Sequence, residues 1–177
     1  DVLWMRQIPP TFGETCDLDT IARTLRIAPD EIDARFPMQV VSTGVPFLIV
    51  PLKTLSAVKR AKPDWDTFVE LTRGKLPRSI LVVAPETYHP ENQLNVRVFV
   101  NEVGVPEDPA TGSGNGCLAG YLVKHRYFGQ DAIDVRVEQG YEIMRPSLLL
   151  LRAQEKEGSI EVNVGGRVVM VAQGRLV

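Results

Sequence analysis

The sequence predicts an α+β fold in which a mostly antiparallel, curled sheet surrounds one central buried helix. The helix is predicted at 112–128, where apolar side chains occur nearly all round the helical circumference, a pattern typical of a helix buried on every side. Strand-like segments lie on both sides of this helix in the sequence. At 94–101 a leucine and three valines recur at every second position, which gives a strand one buried face.

The first half of the chain contains short strands and helices. A strand is predicted at 2–7 and a loop at 12–17. Pro29 suits the first turn of a helix, and Asp64 and Asp66 suit the first turn of another because they complement the positive end of the helix dipole. Helices are predicted at 17–25, 30–35, 54–61 and 63–73, and strands at 39–43 and 47–52.

From Ile80 onward the pattern is mostly strand. A continuous apolar run predicts a strand at 80–84, before the alternating strand at 94–101. After the helix, strands are predicted at 133–138, 147–153, 159–164 and 167–172. Within the helix, Gly116 and Gly120 lie four residues apart and leave one face without side chains, so a strand or helix can approach this face closely.

Composition and charge restrict the classes of partner. The 177 residues carry a net charge of −2 and contain no basic block, which argues against nucleic acid as a partner. No apolar run is long enough to span a membrane and no secretory signal is visible, so we expect no membrane partner and a cytoplasmic location. Cys16 and Cys117 lie far apart and have no metal-binding or redox spacing, so we expect no metal site.

The segment at 107–116, Glu-Asp-Pro-Ala-Thr-Gly-Ser-Gly-Asn-Gly, leads directly into the predicted buried helix. N–H groups at a helix start lack partners inside the helix and carry partial positive charge, and glycine lets a ligand approach them. We therefore predict an anion site at Gly112, Ser113 and Gly114, with Asp108 as an ionisable group beside it. The alternative, an ordinary proline turn followed by a Thr or Ser N-cap, remains open, although a cap needs only one of these polar groups.

Two known phosphate-binding motifs do not match this segment. A P-loop requires a lysine before its helix, and none is present; the dinucleotide fingerprint requires glycine where Cys117 stands. A second candidate site is the small polar turn that contains Thr43 and Gly44 between two apolar strands, for which an ordinary hairpin is the competing interpretation. Cys117 itself is more typical of a small buried apolar residue than of a nucleophile.

At 107–113 the chain resembles the phenazine-biosynthesis PhzF-like isomerases, which belong to the diaminopimelate epimerase-like superfamily. Further segments agree in the same order: Val-Ser-Thr-Gly-Val-Pro-Phe at 41–47, Glu-Gln-Gly at 138–140, Met-Arg-Pro-Ser at 144–147 and Val-Gly-Gly at 164–166. The resemblance covers essentially all 177 residues, and it is specific because these segments occur together.

The resemblance implies a diaminopimelate epimerase-like fold of two similar lobes, each a sheet wrapped around a central helix, with the active site in the cleft between them. It implies proton transfer, without any cofactor, on a small carboxylate-bearing substrate. Asp108 is then the catalytic carboxylate. The substrate-binding residues are then Gly112, Ser113, Gly114, Thr43 and Gly44.

One part of the family pattern is missing from this sequence. The other lobe comes first in the family and carries a catalytic glutamate in a Ser-Glu-Thr-type motif and a histidine, and nothing here matches it. We therefore expect residues 1–15 to be the end of an N-terminal lobe and residues 16–177 to be a C-terminal lobe that is inactive alone. The expected macromolecular partners are the missing lobe or a complementary chain, and a second copy in a homodimer.

Two other functions remain open. One is a non-catalytic domain that binds a small anion or pairs with another polypeptide. The other is an amino-acid epimerase or racemase with two catalytic thiols. That mechanism is disfavoured because the family branch that uses it carries cysteine just before the Gly-Ser pair, where Thr111 stands here, and Cys117 lies well inside the helix.

Overall fold

One mixed sheet contains all ten described strands of the computed structural model, which describes residues 1–101 and 106–175. The strands are β1 Val2–Arg6, β2 Thr11–Cys16, β3 Met38–Ser42, β4 Pro46–Pro51, β5 Ser79–Ala84, β6 Leu94–Val100, β7 Glu107–Asp108, β8 Ala132–Gln139, β9 Ser147–Lys156 and β10 Ser159–Arg167. The helices are α1 Leu18–Leu25, α2 Leu55–Arg60, α3 Trp65–Thr72 and α4 Gly112–Lys124, and single 3-10 turns occupy Pro29–Glu31 and Tyr141–Ile143. None of these described helices has the length and hydrophobicity needed to cross a membrane.

The sheet is curled, and its two edge strands are consecutive in the chain. Within the described residues the strand order is β1-β10-β9-β8-β6-β5-β4-β3-β2, and the short β7 also pairs with β6. Neighbouring strands run antiparallel except in the β4–β5 and β6–β8 pairs, so the sheet is mixed. Only residues 7–10 join β1 to β2, and this short connection draws the two edges of the sheet towards each other.

Helix α4 packs against β3 and β4 from one end of the sheet and against β8, β9 and β10 from the other. Its residues from Gly114 to Val123 are all buried. The helix ends at Lys124, four residues earlier than predicted. It stops there because Arg126 takes a left-handed conformation with φ 49°, and the Tyr127 N–H donates back to the Leu122 carbonyl.

The glycine face of α4 receives the segment that joins β1 to β2. Pro10 lies so close to Gly120 that a Cβ there would come 2.8 Å from two carbons of the proline ring. Gln7 lies over Gly116, where a Cβ would come 3.0 Å from the Gln7 Cγ. A close approach to this face is therefore observed, but the approaching element is a connecting segment and not the strand or helix that was predicted. The two glycines let the connection between the sheet edges cross the helix.

Apolar side chains form one core on each side of the sheet. The first contains α4, and the second contains residues of α1, α2 and α3. Strand β6 was predicted to have one buried face but is buried on both, because Phe99 joins the second core while its leucine and two valines join the first. Arg97 lies on that second face, and its guanidinium donates to the Glu107 carboxylate at 2.7 and 2.9 Å. The polar positions of the alternating pattern therefore face a second layer of structure.

Two local predictions before β3 are wrong. Of the loop predicted at 12–17, residues 12–16 belong to the edge strand β2, which pairs with β3 across a β-bulge. The local sequence favours a strand only weakly here, and the strand forms because residues distant in sequence pair with it. The helix predicted at 30–35 is a single 3-10 turn, because the Asp33 N–H donates to the Pro51 carbonyl and ties the chain to the end of β4.

The prediction for the last apolar segment is also wrong. Strand β10 continues to Arg167, and the strand predicted at 167–172 does not form. The side chains of Val168, Val169, Met170 and Val171 are more than half exposed. The apolar pattern is that of a strand, but the described residues provide no neighbouring strand with which this segment pairs.

Replacing Gly120 with alanine tests the contact between α4 and the β1–β2 connection. The new Cβ would overlap the Pro10 ring, and such overpacking costs about 1–3 kcal/mol, against a gain of up to ~1 kcal/mol in helix propensity. We expect a net loss of unfolding free energy in urea denaturation. Gly112→Ala is the matched control in the same helix, because its Cβ would meet only the Met5 Cε at 3.8 Å. Equal or greater stability of Gly120→Ala would contradict the described contact.

The burial of His125 makes stability depend on pH. Its Nε2 lies 2.8 Å from the Gln39 Oε1. Desolvation lowers the pKa of His125 below its ordinary value of 6.5, and the charge of Lys124 acts in the same direction. The unfolded chain therefore binds a proton first as the pH falls, and stability is lost as the pH drops through about 6.5.

This pH effect can be separated from other titrations with His125→Gln. Urea denaturation should show that the wild type loses more unfolding free energy between about pH 7.5 and about pH 5.5 than the variant does. Parallel losses in the two proteins would mean that His125 does not titrate differently in the folded and unfolded states.

Candidate active site at the start of helix α4

Strand β7 and the first turn of α4 place Asp108 beside the interior strand β6, next to the end of β8. Asp108 pairs with Val98 of β6, and Pro109 then turns the chain towards the helix. The half-buried Asp108 carboxylate accepts a hydrogen bond from the Thr111 hydroxyl at 2.7 Å and a longer one from the Ala110 N–H at 3.5 Å. The turn between strand and helix is therefore closed by the side chain predicted to be catalytic.

The neighbouring carboxylate, Glu107, has a different environment. It is buried and forms a two-bond ion pair with Arg97, whose side chain is also largely buried. No ion pair to Asp108 is found in the part of the chain that the structure describes. Glu107 is therefore held by an ion pair within the sheet, while the described donors to the Asp108 carboxylate, the Thr111 hydroxyl and the Ala110 N–H, are both neutral.

Gln139, the last residue of β8, holds this turn from inside the protein. Its side chain is fully buried. The Nε2 donates to the Asp108 carbonyl at 2.6 Å and to the Thr111 Oγ1 at 2.9 Å. The Oε1 accepts from the Thr111 N–H at 3.2 Å and from the Asn115 Nδ2 at 2.8 Å. One carboxamide thus connects the sheet, the Asp108 turn and the first turn of α4.

Sequence reasoning did not identify Gln139 as a site residue. The Glu-Gln-Gly segment at 138–140 was recognised only as part of the family resemblance. In the structure, the buried Glu138 carboxylate accepts hydrogen bonds from the backbone N–H groups of Tyr88 and His89, on the side of β8 opposite to Gln139. Gly140 has φ +81°, and a Cβ there would come 2.8 Å from the Pro109 carbonyl oxygen.

The start of α4 carries N–H groups that have no acceptor among the residues that the structure describes. Thr111 occupies the N-cap position, but its side chain makes no capping hydrogen bond. No partner for the N–H groups of Gly112, Ser113 or Gly114 is found among residues 1–101 and 106–175. Gly112 and Ser113 are half-buried, whereas Gly114 is buried, with Phe47 and Leu81 close to it. The first two positions are thus open to a ligand.

The second predicted candidate lies beside the same helix. Thr43 is buried, and its Oγ1 is 3.7 Å from the Cys117 Sγ and 3.5 Å from the Gln7 Oε1. Gly44 is exposed and has φ +124°, a conformation that glycine adopts readily. The structure therefore brings the turn at 43–44 against the first two turns of α4, next to the helix start.

Cys117 has the environment of a packed side chain. Burial raises the pKa of its thiol, and the Sγ donates to the Val45 carbonyl at 3.4 Å. Since the thiolate is the reactive form of cysteine, this thiol is not activated as a nucleophile. Within the described ranges, no cluster of three or more His, Cys, Asp or Glu side chains has the geometry to hold a metal ion.

A groove of about 900 Å³ opens at the helix start. Its lining residues include Ala110, Gly112, Met5, Ser147 and Arg167. Asp108, Ser113 and Thr43 are not among its lining residues, so the groove reaches the helix start but stops short of the carboxylate. It combines apolar side chains of β1 with one of the predicted anion-binding positions.

Comparison with known proteins identifies the family. The family model described as "Phenazine biosynthesis-like protein" (PhzC-PhzF) matches residues 2–174. The chain is 32% identical over 167 residues to the uncharacterized isomerase YfhB of Bacillus subtilis, covering 93% of this chain and 56% of that protein. It is 27% identical to an uncharacterized isomerase of Clostridium acetobutylicum, covering 94% of this chain and 57% of that one. The chain thus spans little more than half the length of these relatives.

Solved structures agree with the family match. The phenazine biosynthesis protein of the PhzF family from Bacillus anthracis superposes with a TM-score of 0.83 at 25% identity, covering 93% of this chain and 57% of that one. A predicted epimerase from Pseudomonas aeruginosa superposes with a TM-score of 0.71 at 28% identity, covering 99% of this chain and 58% of that one. The chain therefore belongs to the phenazine biosynthesis-like (PhzC-PhzF) protein family.

Proposed function

We propose that this chain supplies one side of the active site of a PhzF-like isomerase, which moves a proton on a small carboxylate-bearing substrate by acid/base catalysis without a cofactor. The observation that carries the proposal is the pairing of Asp108 with the open start of α4. A half-buried carboxylate without a cationic partner lies one turn from helix N–H groups that have no acceptor in the described protein. The isomerase names of the relatives support the reaction class.

The proposed chemistry follows from these two features. The N–H groups of Gly112 and Ser113 bind the substrate carboxylate and offset its charge, which makes removal of a proton from the adjacent carbon easier. Asp108 either accepts the proton removed from carbon or delivers one to the carbon that gains it. A second acid/base group completes the exchange, so that the product has the same atoms as the substrate. Thr43 and Gly44 contribute to the same site from the neighbouring turn.

The second group is proposed to come from an additional lobe. The curated relatives are longer than the region that matches this chain, which covers 56% or 57% of them. In this proposal the present chain is an epimerase-like lobe with α4 as its central helix, and the substrate binds in a cleft between lobes. The exposed apolar side chains of β1 and of residues 168–171 provide a surface for such a lobe.

The boundary at residue 15, a homodimer and a cytoplasmic location stay predictions.

Two alternatives differ in their use of the same residues. A non-catalytic anion-binding or partner-pairing domain would use the helix start but not the carboxylate of Asp108. An amino-acid epimerase or racemase with two thiols would require an activated cysteine, and the buried Cys117 thiol with its raised pKa gives no support to this. The carboxylate of Asp108 therefore separates the proposal from both.

Anion binding at the helix start can be measured on the chain itself by following backbone amide shifts in NMR titrations with sulfate and with acetate. We expect the shifts to centre on Gly112 and Ser113. Gly112→Val should weaken binding by about tenfold or more, because its side chain would lie at the lining of the groove, where the anion approaches. Ser113→Ala keeps its N–H group and should change binding much less. Equal binding by wild type and Gly112→Val would exclude this helix start as the anion site.

The role of Asp108 is tested with Asp108→Asn in the enzyme that this chain forms with its additional lobe. Deuterium uptake from D2O into a panel of small carboxylic acids reports proton transfer. We expect the rate to fall by roughly two to four orders of magnitude, because the amide removes the titratable proton but keeps the shape. Acetate and sulfate binding should change much less.

The control for this variant must be a carboxylate outside the site. Glu107→Gln is unsuitable because it would break the buried ion pair with Arg97. Asp134→Asn makes the same chemical change at an exposed surface ion pair and should leave the rate near that of the wild type. A rate for Asp108→Asn close to that of Asp134→Asn would mean that Asp108 is not the catalytic carboxylate, whereas no deuterium uptake even with the wild type would favour the non-catalytic alternative.

A further inference from the structure

We infer that Gln139 is a positioning residue for this site. By donating a hydrogen bond to the Thr111 hydroxyl, Gln139 keeps that hydroxyl directed at Asp108 and so prevents Thr111 from capping helix α4. The inference rests on the proposed function, because it explains how the carboxylate and the open helix start are maintained together. The Gln139 side chain is fully buried, so it acts through the groups that it contacts, which are Thr111, the backbone of the turn and Asn115.

The orientation of the Gln139 carboxamide is determined by its partners. The Asp108 carbonyl can only accept a hydrogen bond, so the atom 2.6 Å from it must be the Nε2. The Thr111 backbone N–H can only donate, so the atom 3.2 Å from it must be the Oε1. A flipped amide would place oxygen against oxygen and nitrogen against an N–H group. The direction of each hydrogen bond is therefore settled by chemistry.

This orientation fixes the proton of the Thr111 hydroxyl. Its Oγ1 accepts one Nε2 proton of Gln139 at 2.9 Å, so its own proton is free for another acceptor. The Asp108 Oδ2 lies 2.7 Å away and, as a carboxylate oxygen, accepts it. The result is a directed relay in which Gln139 donates to Thr111 and Thr111 donates to Asp108.

Because its hydroxyl takes part in this relay, Thr111 does not cap helix α4 with its side chain. A threonine at this position ordinarily accepts a hydrogen bond from the N–H of the second or third helical residue. Thr54 does so in α2 of this protein, where its Oγ1 accepts from the Ala57 N–H at 3.1 Å. Asp17 and Asp64 cap α1 and α3 in the same way. In α4 the equivalent bond is absent because the hydroxyl is held by Gln139 and Asp108.

Removing the Gln139 amide should therefore let Thr111 cap the helix. Gln139→Met keeps an unbranched side chain of similar length but cannot donate to Thr111. We expect the Ser113 or Gly114 amide proton to move downfield and to exchange more slowly in this variant. Sulfate affinity at the helix start should fall about fivefold, equivalent to ~1 kcal/mol for an N-cap hydrogen bond. Gln154→Met, at an exposed glutamine on β9, is the matched control and should change neither readout.

The double variant Gln139→Met/Thr111→Val distinguishes positioning from a merely structural role. Valine has no hydroxyl with which to cap the helix, so the amide shifts should return towards those of the wild type and most of the sulfate affinity should be regained. A turn that had simply lost its support would not be rescued by removing a second polar group. Failure of this rescue would overturn the inference.

A third variant covers the case in which Gln139→Met does not fold. In Thr111→Val alone, sulfate affinity should stay within about twofold of the wild type, because the hydroxyl is not capping the helix in the native protein. A rise of about fivefold would show that Thr111 already caps α4 and would overturn the inference. If wild-type protein does not bind sulfate at Gly112 and Ser113, the proposed function fails, while the unliganded amide shifts of the variants still test the role of Gln139.

Discussion

The hydrogen bonds of the Gln139 carboxamide determine where the candidate site lies relative to the rest of the protein. Its four partners belong to the Asp108 turn and to the first turn of α4, and its own backbone belongs to β8. Leaving any one of these buried groups without a partner costs about 1–3 kcal/mol, so the turn, the strand and the helix are held in one arrangement. The carboxylate of Asp108 is thereby fixed on elements that are themselves well packed.

The curl of the sheet brings the other parts of the site to the same place. Because residues 7–10 join the two edge strands, this segment must cross α4, and Gly116 and Gly120 provide the space. The same crossing sets Gln7 beside Thr43 and the first turns of the helix. The turn at 43–44, the start of α4 and the groove along β1 therefore meet as a consequence of strand order and close packing.

Features that depend on a pattern within one short segment could be predicted from the sequence. The apolar circumference of α4 predicts its burial, and the small residues at 112–114 predict an open helix start. The role of Gln139 depends on partners 24 to 31 positions away, and a single glutamine at the end of a strand has no periodic signal. Strand β2 and the apolar residues at 168–171 also could not be predicted from local sequence, the first because a strand was missed and the second because a strand was wrongly expected. Strand β2 forms because β3 lies beside it, whereas residues 168–171 form no strand because none of the described strands pairs with them.

A neutron diffraction structure of the deuterated chain would locate the Thr111 hydroxyl deuteron. We expect this deuteron to lie between the Thr111 Oγ1 and the Asp108 Oδ2, with one Gln139 Nε2 deuteron directed at the same Oγ1. A Thr111 Oγ1 that instead accepts the backbone deuteron of Ser113 or Gly114 would contradict it. In that arrangement α4 would be capped, and neither the relay to Asp108 nor the open helix start would exist.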